Sequence, residues 1–339
     1  MDADEKPWVS FCLSTYKRGD ILKNTLQSIK RQNFDKYEVI VSDNDIGESG
    51  KLAVEQMNDT RFKYFANSEN LGMIRSFNQS IKRAGAEYIV MMADDDPVYF
   101  DMIVTLKDLV KQYPGYGMYM GGCDWFCTDA KMADMYKLNV GTNSYLSNDH
   151  DINFVKPYSA DEFVLDFFSF KIFPHYLWST SIVRKSILVE KGGVPDYGTP
   201  FLGDYAYLPI MASHSGCVTI NKSLGCQALH AENFGRNQNE QIITAANNYP
   251  KYVGERLNHL SSWSVIEKRM LNFTGLWVVT HLSFLYKYFK GLEERKSFNE
   301  VERKIFKLGF MKKYKIKYFL KTHSPFLHDQ IVSLKKKLN

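Results

Sequence analysis

Apolar positions in the first hundred residues fall into two alternating kinds of run. Val9–Ser14 (VSFCLS), Tyr37–Ser42 (YEVIVS) and Tyr88–Met92 (YIVMM) are short and nearly continuous, and Phe62–Phe65 is a shorter run of the same kind. Such runs predict strands buried on both faces. Between them, apolar residues recur at helical spacing. Ile21, Leu22, Leu26 and Ile29 follow a Gly19-Asp20 start, and Ile74, Phe77 and Ile81 mark a helix over Leu71–Ala84. Leu52–Met57 and Val98–Gln112 are the other two helical segments. Strands alternating with helices predict an α/β fold built on a mostly parallel sheet with helices on both faces.

The pattern then loosens. Over residues 115–160 Gly, Asp, Asn and Tyr rise and periodicity fades, which predicts irregular strands and loops. Asp161–Phe168, Arg184–Lys191 and Asp204–His214 read as helices, Gly192-Gly193 ends the second, and Cys217–Ile220 and Gly225–Leu229 read as strands. From about residue 245 nearly everything is helical, with Lys and Arg set among Leu, Phe, Tyr and Trp. The expected organisation is a body over residues 1–245, with halves 1–112 and 113–245, and a basic helical region over 246–339.

Charge sharpens that division. Residues 1–250 carry 24 Lys+Arg against 31 Asp+Glu, a net of −7, whereas residues 251–339 carry 19 against 7, a net of +12. An acidic body excludes wholesale nucleic-acid binding, which needs a basic surface. Five sparse cysteines read as reduced thiols, and Cys123 and Cys127 lack the second pair that a structural zinc site requires. MDADEKPW has no apolar stretch of the secretory kind. The most membrane-like window, Leu271–Phe289, is interrupted by Asn272, Thr274, His281 and Lys287, which predicts a buried or interfacial helix rather than a span. These features point to a cytoplasmic protein.

Candidate chemistry gathers at strand ends, where open α/β sheets bind ligands. The first strand runs into Ser14-Thr15-Tyr16 with Arg18 just beyond, the second into Asp43, and the fourth into Asp94-Asp95-Asp96. Three adjacent carboxylates raise one another's pKa or require a cation. Mg²⁺ or Mn²⁺ meets that need with one or two carboxylates, and substrate phosphates complete its shell. Asp96 before Pro97 also reads as a helix cap, and the two roles are compatible.

VSFCLSTYKRGDILKNTLQSIKRQ, VIVSDN and NLGMIRSFNQSIKRAGAEYIVMMADDD, taken in order, resemble the nucleotide-sugar half of family-2 glycosyltransferases with the GT-A fold, as found in bacterial surface-polysaccharide synthesis. The resemblance is strong over about residues 8–112 and weak over 170–235. It implies a GT-A nucleotide-diphospho-sugar transferase fold with a helical C-terminal extension. It also implies an inverting, metal-dependent hexosyl-type transfer from a nucleoside diphosphate sugar, a UDP-sugar by default, to an acceptor hydroxyl. By it, Ser14, Thr15, Tyr16 and Arg18 line the nucleoside site, Asp43 accepts a hydrogen bond from the base, and Arg75 lies near the phosphates or ribose. Asp94 and Asp95 contact ribose or sugar, and Asp96 holds Mn²⁺ or Mg²⁺ in a DxD-type motif. Ala93 stands at the first carboxylate position of the family's Asp-x-Asp-Asp, which leaves the division of labour among the three open.

The resemblance continues in GGVPDYGTPFLGDYAYLPIMASHSG. Asp204 takes the place of the family's catalytic base, which deprotonates the acceptor. The acid that usually precedes it is replaced by Gly203, and Asp204 also suits a simple helix-capping role. His230, in LHAENFGR, matches a late family histidine that approaches the metal or diphosphate through a loop. Trp178 and Tyr205 are candidates for an acceptor platform and also for the core, the core being the favoured place for Trp178. The acceptor class implied is a growing glycan or lipid-linked glycan. The basic helices, as in Lys304–Lys313, suit an anionic membrane surface, on the cytoplasmic face of the inner membrane, or else a solvated face packed on the body. A sugar-1-phosphate nucleotidyltransferase is disfavoured because Ser14–Asp20 contains only Gly19 where a Gly-rich phosphate loop is needed. A non-catalytic sugar-nucleotide binder or scaffold stays open because of Gly203.

Overall fold

The computed structural model describes residues 6–144, 146, 151–172, 176–230, 240–288, 295–327 and 330. Strands and helices alternate as β1 (Val9–Thr15), α1 (Gly19–Lys30), β2 (Tyr37–Asp43), α2 (Lys51–Glu55), β3 (Phe62–Ala66), α3 (Met73–Arg83), β4 (Tyr88–Ala93) and α4 (Met102–Gln112). Then come β5 (Met118–Cys127), α5 (Ala130–Tyr136), β6 (Gly141–Asn143), β7 (Val155–Tyr158), α6 (Ala160–Phe168), β8 (Ser181–Arg184), α7 (Lys185–Glu190), α8 (Gly203–Ser215) and β9 (Cys217–Leu229). They form one nine-stranded sheet in the order β3-β2-β1-β4-β8-β5-β9-β7, with β6 against β5. Strands β3, β2, β1 and β4 are parallel, so their carboxyl ends lie on one edge. In register, Ser14 sits beside Ser42 and Ala93, and Thr15 beside Asp43.

Alternation along the strands divides the core into two layers. Val9, Phe11 and Leu13 join Leu22, Leu26 and Ile29 of α1 and the apolar face of α4. Cys12 points the other way and joins Phe77 and Ile81 of α3 with residues of α6 and α8. Each such large buried side chain is worth about 1.5–3 kcal/mol by transfer, which is why these runs read so clearly as strands.

Two segments differ from the sequence-based expectation. Residues 118–127, expected to be irregular, form the ten-residue strand β5, whose first seven residues are buried. The two strand-like pieces at 217–229 are one strand, β9. Both differences have one cause. The β5–β9 register shifts at Gly121 and Gly122, where β9 carries extra residues. A Cβ at Gly121 would lie 2.5 Å from the Leu224 side chain and 2.8 Å from the Lys222 carbonyl oxygen, so the bulge needs glycine there. The glycines that permit the bulge also erase the strand pattern.

The expected boundary near residue 245 lies within the helix Gln241–Leu257, whose Ala245, Tyr249, Val253 and Leu257 enter the same core layer as α8. The next helix, Trp263–Tyr288, contains most of the membrane-like window and buries Phe273, Val278, Val279, Leu282 and Leu285 against protein. No helix among the described residues is long and apolar enough to cross a membrane.

Candidate active site

The site grows from the carboxyl ends of β1 and β4. Thr15 Oγ1 donates to Asp94 Oδ2 at 2.8 Å, and Thr25 Oγ1 of α1 donates to the Asp94 carbonyl at 2.8 Å. Arg18 reaches across from the start of α1, its guanidinium donating to Asp94 Oδ1 at 2.8 Å and Asp95 Oδ2 at 2.6 Å. His230, at the end of β9, places Nε2 3.1 Å from the same Asp95 oxygen and 3.2 Å from the guanidinium. Thus four of the expected residues, Thr15, Arg18, Asp94 and Asp95, meet His230 in one cluster. A cavity of about 420 Å³ opens beside it, lined by Asp95, His230, Asn24, Thr25, Phe126 and Thr128 among others. Residues 231–236, which complete the histidine motif, lie outside the described residues.

The electrostatics follow from burial and partners. Burial first, then the charge of Asp95, push Asp94 up against the pull of Arg18 and Thr15. Burial also opposes ionisation of Asp95, but His230 and Arg18 outweigh it and hold that carboxyl below its usual range. Asp96 takes its hydrogen bonds from other groups. Its Oδ1 accepts from the Ala228 N–H at 3.2 Å and its Oδ2 from Ser179 Oγ at 3.3 Å. Burial, then Asp95, push it well above the usual range, and Asp204 adds to the push further down.

That coupling brings in the start of α8. Asp204 Oδ1 accepts the Trp178 N–H at 2.9 Å, and desolvation raises its carboxyl to about 6. The short turn Trp178–Thr180 therefore grips both sides of the site: one residue holds Asp204 and the next holds Asp96. The Trp178 ring itself lies in the core, edge-on to Phe77 at 5.4 Å and Tyr207 at 6.0 Å, and packs above Gly203, whose Cβ would meet it at 3.4 Å. Leu202, just before, has a left-handed backbone (φ 64°), which costs roughly 1–2 kcal/mol for a residue with a Cβ. Tyr205 is half-buried in an aromatic group with Phe167, Phe273 and Trp277.

The remaining expected residues lie around this centre. Ser14 is half-buried, and Tyr16 is 43% exposed with the Lys17 ammonium 5.3 Å from its ring. Arg75 is exposed on the first turn of α3. Asp43 is fully buried, and its oxygens accept from the N–H groups of Asp45 and Gly50 and from Tyr64 Oη at 2.8–3.0 Å. It fixes the loop 44–50 beside the site. Sequence reasoning missed Ser179, the Trp178 N–H and a buried group beneath α3 that includes Ser42, Asn44, Asn67 and Ser76. No motif marks these positions; Asn44 beside Asp43 was the only signal.

Among the described residues no three His, Cys, Asp or Glu side chains group as a metal site. Asp95 and His230 do offer one carboxylate and one imidazole at the cavity. That donor pair suits a divalent ion whose other ligands are phosphate oxygens and water.

Comparison with known proteins bears on the family and the fold. Residues 10–153 match the model of the family described as glycosyl transferase family 2. A GalNAc(5)-diNAcBac-PP-undecaprenol beta-1,3-glucosyltransferase of Campylobacter jejuni is 31% identical over 34% of this chain. The chain spans 38% of that relative's length and 30% of a poly-beta-1,6-N-acetyl-D-glucosamine synthase of Staphylococcus aureus, to which it is 25% identical over 36% of its own length. Among solved structures, residues 1–349 of S. aureus TarS superpose with a TM-score of 0.57 at 12% identity, covering 91% of each chain. A mannosyltransferase from Pyrobaculum calidifontis, solved with GDP-Man and Mn²⁺, gives 0.53 at 13% identity, covering 96% of this chain and 88% of its own. TarS has also been solved with UDP-GlcNAc. The architecture is the GT-A fold with a helical C-terminal region.

Proposed function

We propose that the chain is a family-2 glycosyltransferase that moves a sugar, with inversion, from a nucleoside diphosphate sugar to an acceptor hydroxyl; the match of residues 10–153 to the family model supports the reading. The observation that carries the proposal is the turn Trp178–Thr180, which holds Asp96 after β4 through Ser179 and Asp204 through the Trp178 N–H. Asp204, raised to about 6 by desolvation, is ionised near neutral pH and basic enough to take the acceptor proton as the new glycosidic bond forms and the bond to the diphosphate breaks. Arg18 stabilises the departing diphosphate. Thr15 and Thr25 hold Asp94 in place. Ser14, Tyr16 and Arg75 border the nucleotide, and Asp43 acts through the loop 44–50.

A divalent ion, Mn²⁺ or Mg²⁺, fits beside Asp95 and His230. When bound, it supplies positive charge to the leaving diphosphate. Asp95 is favoured over Asp96 because it lines the cavity together with His230, whereas Asp96 is not among the lining residues. A UDP-sugar is the default donor, in line with the UDP-GlcNAc bound by TarS. The acceptor proposed is a lipid-linked or growing surface glycan, reached from the cytoplasmic side by a peripheral protein. Residues 1–245 would carry the chemistry, with Tyr205 on the acceptor side, and residues 246–339 would set the location.

A panel of UDP- and GDP-sugars with Mn²⁺ tests the reading by thermal shift and by release of nucleoside diphosphate. One donor should raise the melting temperature, since a ligand at 100 times its Kd adds about 2.7 kcal/mol to stability, and should be turned over. Binding without release would mark a sugar-nucleotide binder rather than a transferase, and the absence of both binding and release would overturn the proposal.

A further inference from the structure

From Arg303 to Leu327 the chain holds eight Lys or Arg and no Asp or Glu. Within this stretch the turn Gly309–Tyr314 leads into the helix Lys315–His323. One side of the pair is anchored: Met311, Tyr314, Tyr318 and Thr322 are buried, and Tyr314 Oη donates to Asn272 at 2.9 Å. The opposite side is also apolar. Ile316 is 75% exposed and Phe319 56%, three residues apart on one face, and Phe326 and Leu327 beyond the helix are 75% and 46% exposed. Lys312, Lys313 and Lys315 in the same turn and helix are exposed as well. A helix that only packed on the body would turn charged groups outward. Here Ile and Phe point outward among lysines.

We propose that the face formed by Ile316, Phe319, Phe326 and Leu327, with Lys312, Lys313 and Lys315 beside it, docks on the surface of an anionic lipid bilayer. Charge complementarity selects this occupant. A cationic rim attracts acidic headgroups while the apolar side chains enter the boundary between headgroups and acyl chains. The interaction needs no spanning helix and rests on the surface rather than on sugar transfer, although it would bring the site to a lipid-linked acceptor.

The test is co-sedimentation of the full chain with vesicles of phosphatidylcholine alone or mixed with phosphatidylglycerol. Binding should appear only with the mixed vesicles and weaken with added salt. Each basic residue near such a surface contributes roughly a fivefold gain in partitioning, so K312Q/K313Q/K315Q should lose about a hundredfold. Ile316→Ser with Phe319→Ser should lose at least tenfold. These side chains are exposed, so both variants should keep wild-type melting temperatures and turnover of a donor in solution. Equal binding to both vesicle types, or full binding by either variant, overturns the proposal. Concentration-dependent dimerisation that the double variant abolishes, without vesicle binding, would assign the face to a second copy instead.

Discussion

Replacing Asp204 with Asn separates its chemical role from its structural one. The Asn amide oxygen can still accept the Trp178 N–H, which lies 2.9 Å from Asp204 Oδ1. The start of α8 and the core position of the Trp178 ring should therefore persist. What is lost is the proposed proton acceptor. General-base catalysis contributes roughly 10²–10⁴ in rate, about 3–5 kcal/mol of activation free energy. The pH dependence follows from the same carboxyl, which desolvation raises to about 6. In the wild type, kcat/KM should rise tenfold per pH unit up to about 6 and then level off. Stability should move in the opposite direction. A carboxyl raised above its unfolded value contributes stability that is full below the unfolded pKa and lost as pH rises through the folded one. The Asn variant should thus be at least as stable as wild type at about pH 8. The assay is release of nucleoside diphosphate from the donor, with water standing in until the acceptor is identified, alongside donor affinity by thermal shift. Turnover falling a hundredfold or more with unchanged donor affinity is expected. Turnover within threefold of wild type at neutral pH, or an unshifted acid limb in the residual activity, would remove Asp204 from the mechanism.

Arg18→Gln removes the guanidinium that neutralises Asp94 and Asp95. Breaking a buried pair costs about 3 kcal/mol or more. Because Asp95 is held below its usual range by His230 and Arg18, the stability it contributes is present above the unfolded carboxylate pKa. The deficit should therefore be larger at about pH 8 than at about pH 4, and Mn²⁺ should recover part of it; thermal melts at both pH values check this. Gly19→Ala would place a Cβ 2.2 Å from the carbonyl oxygen of Ser49, so the start of α1 and the loop 44–50 must separate. Overpacking of this kind costs about 1–3 kcal/mol, and donor affinity should fall along with melting temperature. A fully stable variant with normal donor binding would show that the two loops are not coupled.

The strands and most of the helices up to residue 112 were legible because burial on both faces leaves nearly continuous apolar runs, and because α1 and α3 keep one apolar side. The candidate site was legible where polar residues interrupt those runs, at Ser14–Arg18, Asp43 and Asp94–Asp96. Strand β5 was not, since its Gly121-Gly122 pair serves the bulge with β9 rather than a side-chain pattern. The Trp178–Thr180 turn was not either. It acts through a backbone N–H and one serine hydroxyl, and a single turn has no periodicity to detect.

The cation was half legible. Three adjacent carboxylates demanded positive charge, and spacing alone gave no reason to seek it 76 residues away at Arg18. One guanidinium does not offset three carboxylates if all of them are ionised. Burial first, and then the charge of Asp95, hold Asp94 and Asp96 above their usual range. Asp95 is the exception because it meets both Arg18 and His230. Under the proposed function, Asp95 and His230 would hold a divalent ion, whose positive charge would add to that of Arg18.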